Sequence, residues 1–191
     1  MVGYSSSTDS NDLYARGHNI PNADRNADND MMRQTFCVTN STPQIQNRFN
    51  STIWNAVEEQ VRTLAQATDT LYVVTGASFR KTNGSESIKY ITPQLDTDKS
   101  VPVPNYYWKV LLKVSWSGRS VSSASAIGIW IPHGEYTKPS GGWNYSSYAM
   151  SVDQIEAWTG FDLFANLPGD NSSGIEKSAE ANTSWQSFQS F

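Results

Sequence analysis

A chain of 191 residues with 38% hydrophobic side chains, seven Trp and 17% charged residues carries enough apolar material for one substantial domain, which excludes an intrinsically disordered chain. A formal net charge of −4 excludes a global basic footprint, so any phosphate-binding surface has to be local. A single cysteine, Cys37, excludes an intrachain disulfide framework, and with only two histidines it argues against structural zinc, leaving a metal to hard oxygen ligands. No run approaches the roughly 18 apolar residues of a membrane-spanning helix, so no membrane partner is expected.

Residues 1–12 are polar and turn-rich, a loose lead-in without the basic and apolar regions of a signal peptide. The string LYARGHNIPNADR (13–25) then sets Arg16, Gly17 and His18 side by side. DNDMMRQ (28–34) reads as a short helix or turn, and TFCVTN (35–40) as a short apolar strand ending in a Thr-Pro turn at 42–43, with Cys37 a buried packing residue. Asn47 to Ala67 lacks Gly and Pro and puts Ile53, Val57, Val61 and Leu64 on one stripe, which predicts a long helix.

Strands follow: TLYVVTGASF (70–79) breaking at Gly76, SIKYI (87–91), and the mostly apolar, central YYWKVLLKVSW (106–116) and AIGIWIP (126–132). SVDQIEAWTG (151–160) has a Ser cap, an apolar face with Ile155 and Trp158, and a Gly stop, and is a short helix. Residues 169–191 form a loop-rich tail. The fold class is α+β, a mostly antiparallel central sheet flanked by helices in one domain over residues 1–191.

On the long helix, Asn50, Trp54, Glu58 and Arg62 fall at four-residue steps and share one row. One reading is a solvent face with a Glu58–Arg62 pair. The other is a functional row of amide, aromatic, carboxylate and guanidinium; helix statistics alone favour the solvent face, which a Trp54 spent in water weakens.

Arg16-Gly17-His18, then Thr39-Asn40-Ser41-Thr42-Pro43-Gln44, then Asn50/Trp54/Glu58/Arg62 closely resembles the DNA/RNA non-specific endonuclease family, the ββα-metal or His-Me finger nucleases. LYVVTGASF, VPVPNYYWKVLLK, AIGIWIP and IEAWTGFDLFANLP resemble its strands and closing helix, so the likeness runs from about residue 13 to residue 168. The resemblance implies a ββα-metal finger active site with His18 as general base and Asn50 as the one protein ligand to Mg²⁺ or Mn²⁺. It makes Arg16 and Arg62 phosphate contacts, Glu58 a carboxylate that orients metal-bound water, and Asn40 a polar residue beside the metal.

Neutral imidazole can take a proton from water attacking phosphorus, and magnesium keeps most of its waters, so a single amide ligand is chemically reasonable. A site of this kind reads backbone rather than base edges, which predicts action on both DNA and RNA with little sequence preference. The aromatics Trp54, Tyr106, Tyr107 and Trp108 are stacking candidates, with core packing the alternative.

The sequence departs from the family at two points. Ala15 stands where an Asp or small hydroxyl residue commonly precedes Arg-Gly-His, removing an acceptor that would hold the histidine or its loop. Only 17 residues precede His18, where the family usually has strands and a further arginine, which implies a shortened or processed chain. His133, in IPHGE, reads as a loop residue rather than a second base, and Trp143, in SGGWNYSSY, as part of a surface loop rather than a sugar platform.

The expected function is a metal-dependent, sugar-non-specific endonuclease, by resemblance extracellular or periplasmic and giving 5′-phosphate products. The alternative is a catalytically weakened nuclease-fold module that binds nucleic acid or a protein partner. A carbohydrate-binding β-domain explains neither the Arg-Gly-His string nor the helix row. A homodimer and an inhibitor protein are open as partners.

Overall fold

The computed structural model describes residues 14–93 and 96–166, so the lead-in and the tail read from the sequence lie outside the described residues. Strand β1 (Tyr14–His18) pairs antiparallel with β2 (Ser41–Ile45), Tyr14 opposite Ile45 and His18 opposite Ser41. Between them runs an excursion with a 3-10 turn at Asn22–Asp24 and helix α1 (Asn29–Gln34). Helix α1 forms because Asp28 caps it, its carboxylate accepting from the N–H groups of Asp30 and Met31.

TFCVTN is not a strand. It is a turn closing in a 3-10 helix at Val38–Asn40, and Phe36, Cys37 and Val38 are exposed instead of packed. Reverse-turn hydrogen bonds from Cys37 N–H to the Gln34 carbonyl and from Asn40 N–H to the Cys37 carbonyl outweigh the β-propensity of a short apolar run. The expected Thr-Pro turn is instead strand β2, with Pro43 opposite Arg16, a position on a two-stranded ribbon where a missing N–H is tolerated.

The long helix exists, but only its second half is α-helical. Gln46–Trp54 is a π-helix that runs directly into α2 (Asn55–Gln66). The apolar stripe holds: Ile53, Val57, Val61 and Leu64 are all buried. The row of four does not lie evenly, because four residues fall short of one turn in the wider π geometry and overshoot it in an α-helix. Trp54, where the two meet, is therefore turned wholly inward and stacks on Phe49 with ring centroids 5.9 Å apart.

Strands β3 (Thr70–Ser78), β6 (Tyr106–Ser117), β7 (Ser120–Pro132) and β8 (Ala149–Met150) form the central antiparallel sheet in the order β3-β6-β7-β8, and the short separate pair β4 (Lys89–Ile91) and β5 (Val101–Val103) meets the ribbon where β5 contacts β2. Strand β3 does not break at Gly76. It passes through, because a Cβ there would overlap the ring of Trp108 on β6. SIKYI supplies only the three residues of β4.

Alternation along β6 and β7 divides the core in two. Tyr107, Leu111, Ile127, Ile129 and Ile131 pack toward the long helix and the β1–β2 ribbon, while Trp108, Val110, Leu112 and Trp130 pack toward helix α3 (Val152–Thr159). Helix α3 starts at its Ser151 cap and stops at Gly160, whose φ of 75° suits a residue without Cβ.

Tyr107 ties the ribbon to the sheet. Its hydroxyl donates to the Pro43 carbonyl at 2.9 Å, which leaves Thr42 Oγ1 as donor in their 2.8 Å contact. Tyr107→Phe should therefore destabilise the chain by about 1–2 kcal/mol, since the Pro43 carbonyl loses its donor in a dry site; urea unfolding measures this.

Candidate active site

Period-two alternation puts Arg16 and His18 on the same face of the ribbon, Arg16 exposed and His18 half-buried. Gly17 points the other way, and a Cβ there would collide with the side chain of fully buried Gln44. The glycine thus lets two strands of protein meet closely and is not an open approach for phosphate.

The His18 ring makes no side-chain hydrogen bond among the described residues and meets the Phe36 ring edge-on, with centroids 5.4 Å apart. Burial, and then the neighbouring Arg16 charge, hold its pKa below the ordinary value. At neutral pH the imidazole is therefore uncharged and can accept a proton.

Asn40 stands at the other end of the same turn. Its Nδ2 donates to the carbonyls of Ile20 and Thr35, both at 2.9 Å, and its Oδ1 accepts the Ile20 N–H at 2.9 Å. These bonds pin the loop that leaves His18 to the start of β2.

Asn50 is held by its neighbour on the π-helix. Its Nδ2 donates to Gln46 Oε1 at 3.0 Å, and Gln46 Nε2 donates to Ser51 Oγ at 2.9 Å. This chain fixes which end of the amide is which and leaves Asn50 Oδ1, a hard oxygen, without a hydrogen bond among the described residues. That arrangement fits a divalent cation that keeps most of its waters. Among the described residues there is no group of three or more His, Cys, Asp or Glu side chains that could form a larger metal cage.

The Glu58–Arg62 pair expected of a solvent face is not made. Arg62 Nη1 bonds Asp24 Oδ1 at 3.1 Å, joining the end of α2 to the loop after β1. Glu58 is half-buried, and desolvation pushes its carboxyl up to about 7, opposed first by the charge of Lys109. The buried Trp54 Nε1–H bears on this carboxylate but closes no hydrogen bond of normal geometry.

Lys109 is the residue that motif reading passed over. It is buried on the helix-facing side of β6, donates to Thr75 Oγ1 at 2.9 Å and lies 4.8 Å from the Trp54 ring centroid. The signal was present: in YYWKVLLKVSW, Lys109 shares its face with Tyr107 and Leu111, and a lysine at a core register needs a carboxylate or a function.

His133 lies in the loop after β7, as expected, but it is packed and bonded rather than free. It sits just beyond β7, packed on Phe49 and Tyr107 at centroid distances of 4.7 and 5.2 Å. The Ile45 N–H can only donate and the Pro104 carbonyl can only accept, so Nε2 is the acceptor and Nδ1 carries the proton. Burial lowers its pKa to about 4, so it clamps the ribbon to the sheet as a neutral ring. Trp54, Tyr107 and Trp108 are core residues, and Trp143 is buried against Tyr136, so none of these four offers an open stacking face.

The sequence profile of the DNA/RNA non-specific endonuclease family matches residues 2–170. The chain is 26% identical to "Nuclease 1, mitochondrial" of Schizosaccharomyces pombe over 83% of its length and 48% of the relative's. It is 28% identical to a nuclease of Nostoc sp. over 87% and 56%, and 30% identical to a nuclease of Syncephalastrum racemosum over 81% and 48%. It thus spans about half the length of these relatives. Its fold matches a chain in the crystal structure of the EndoG/EndoGI complex with a TM-score of 0.64 at 23% identity, covering 85% of this chain and 65% of that one. A ribbon bearing Arg16 and His18, the helix that carries Asn50, and a profile match over most of the sequence lead to one assignment: the chain belongs to the DNA/RNA non-specific endonuclease family.

Proposed function

We propose that this chain is a single nuclease domain hydrolysing phosphodiester bonds in both DNA and RNA, with His18 as general base and Asn50 as the one protein ligand to Mg²⁺ or Mn²⁺. The observation that carries the reading is a half-buried, uncharged His18 on the same ribbon face as the exposed Arg16 guanidinium.

His18 accepts the proton of the attacking water as its oxygen bonds to phosphorus, while the ester oxygen departs and leaves a 5′-phosphate. Arg16 holds non-bridging oxygens in its planar fork, and Arg62 supplies a second guanidinium, aimed by Asp24. Glu58 orients the water, and Asn40 keeps the His18 loop against β2. Asn50 Oδ1 would hold the divalent cation, which when bound would neutralise charge developing on the phosphate and the leaving oxygen. These contacts address the backbone, which supports weak discrimination between sequences and sugars.

An extracellular or periplasmic site of action is supported by the resemblance alone; relatives named as mitochondrial share the family. An inhibitor protein as partner is supported by the fold likeness to a chain solved in an inhibitor complex.

The test is cleavage of supercoiled plasmid and single-stranded RNA by the purified chain with Mg²⁺, with Mn²⁺ and with EDTA. Both substrates should be degraded with metal and neither in EDTA. Cleavage that survives EDTA overturns the metal, and salt-dependent binding without turnover identifies a nuclease-fold module that has lost catalysis.

A further inference from the structure

Phe36 is 56% exposed and belongs to neither core cluster, yet the backbone around it is tightly held. Its own N–H bonds the Arg33 carbonyl at 3.1 Å, and the next N–H, of Cys37, bonds the Gln34 carbonyl at 3.1 Å. The preceding residue, Thr35, is buried: its hydroxyl donates to the Met32 carbonyl at 2.7 Å, and its own carbonyl accepts from Asn40 Nδ2 at 2.9 Å. An apolar ring left half in water on a turn held by these hydrogen bonds is there for something other than the core.

What the ring touches is His18, edge-on, with an interplanar angle of 79°. No hydrogen bond among the described residues orients that imidazole, and the methyl side chain of Ala15, just before Arg16, has no polar atom to offer. The terminal torsion of a histidine is broad when nothing fixes it, whereas an edge-to-face aromatic pair favours one ring orientation.

We propose that Phe36 is a positioning residue for His18: its ring, fixed by the turn that Thr35 and Asn40 anchor, sets the orientation in which the imidazole meets the attacking water. The inference rests on His18 being the base, but the contact can be tested apart from that role.

Three variants of the full chain, Phe36→Ala, Phe36→Leu and Phe36→Tyr, are compared by NMR without metal. With two histidines in the sequence, the His18 ring-proton signals are readily told from those of His133. In Ala and Leu the His18 signals should lose their ring-current displacement, Tyr should keep it, and His133, bonded on both ring nitrogens, should stay in place as the control for folding. Unmoved His18 signals in all three overturn the proposal.

In turnover, Ala and Leu should lower kcat on the order of tenfold with KM within about twofold, and Tyr should restore it. A raised KM with kcat unchanged makes Phe36 a substrate contact and overturns positioning. If the ring-current signature is present while the parent chain hydrolyses nothing, it is the assignment of His18 as base that fails, and the contact stands.

Discussion

His18→Ala should lower the rate of phosphodiester hydrolysis by about 10²–10⁴-fold, the contribution typical of a positioned proton acceptor. The loss should be chemical and not structural, because the side chain is half-buried and makes no hydrogen bond among the described residues, so thermal unfolding should change little. The imidazole pKa lies below its ordinary value through burial and the Arg16 charge, so the ring is already deprotonated at neutral pH and protonates only under acid conditions. Free imidazole added to the alanine variant should recover part of the rate. Plasmid nicking by the variant at the parent rate would remove His18 from the mechanism.

Those parts of the fold that a sequence encodes locally were legible. The buried stripe of the long helix follows from apolar spacing, the Ser151 and Gly160 boundaries of α3 from cap chemistry, and the central strands β6 and β7 from length and β-branched content. Apolar spacing also put Asn50 on the long helix, but no strand was legible at Arg16 and His18, whose ribbon exists only through pairing with a segment that reads as a Thr-Pro turn.

What escaped the reading depends on partners far away in sequence. The π geometry at Gln46–Trp54 does not show in residue type, and it is what turns Trp54 inward. His133 bonds Ile45 across 88 residues, so nothing near IPHGE announces a buried clamp. Phe36, Cys37 and Val38 have the apolar content of a strand, but short-range turn bonds decide that segment and leave all three exposed. Lys109 meets Glu58 only when β6 lies under the helix, so the helix row seemed to pair with itself when its carboxylate answers to the sheet.

That distance makes Lys109→Met the most informative substitution after His18. Two groups with opposed titrations act on each other through their charges. Glu58 is raised from 4.5 to about 7 by desolvation, so the stability linked to it is full below its unfolded value and is lost as pH rises through about 7. Lys109 is lowered from 10.5 to about 8 by burial, so its contribution is full above its unfolded value and is lost as pH falls through about 8. Between those two values both are charged, and each offsets part of the other's desolvation. Methionine keeps the length and the contact with Trp54 but removes the cation, and Glu58 must then ionise against burial and Asp24 with Arg62 and the Trp54 indole N–H left to favour it. The acid limb of cleavage should move about one pH unit higher, a loss of about tenfold in rate on that limb. Near pH 6 the carboxyl is protonated with or without the lysine, and an apolar side chain of similar volume replaces a desolvated charge, so the variant should be no less stable than the parent there. With rising pH its stability should fall through the higher Glu58 value. Urea unfolding from pH 5 to 9 beside a cleavage profile separates these effects, and a profile superimposable on the parent's would show that Lys109 does not govern the Glu58 carboxylate.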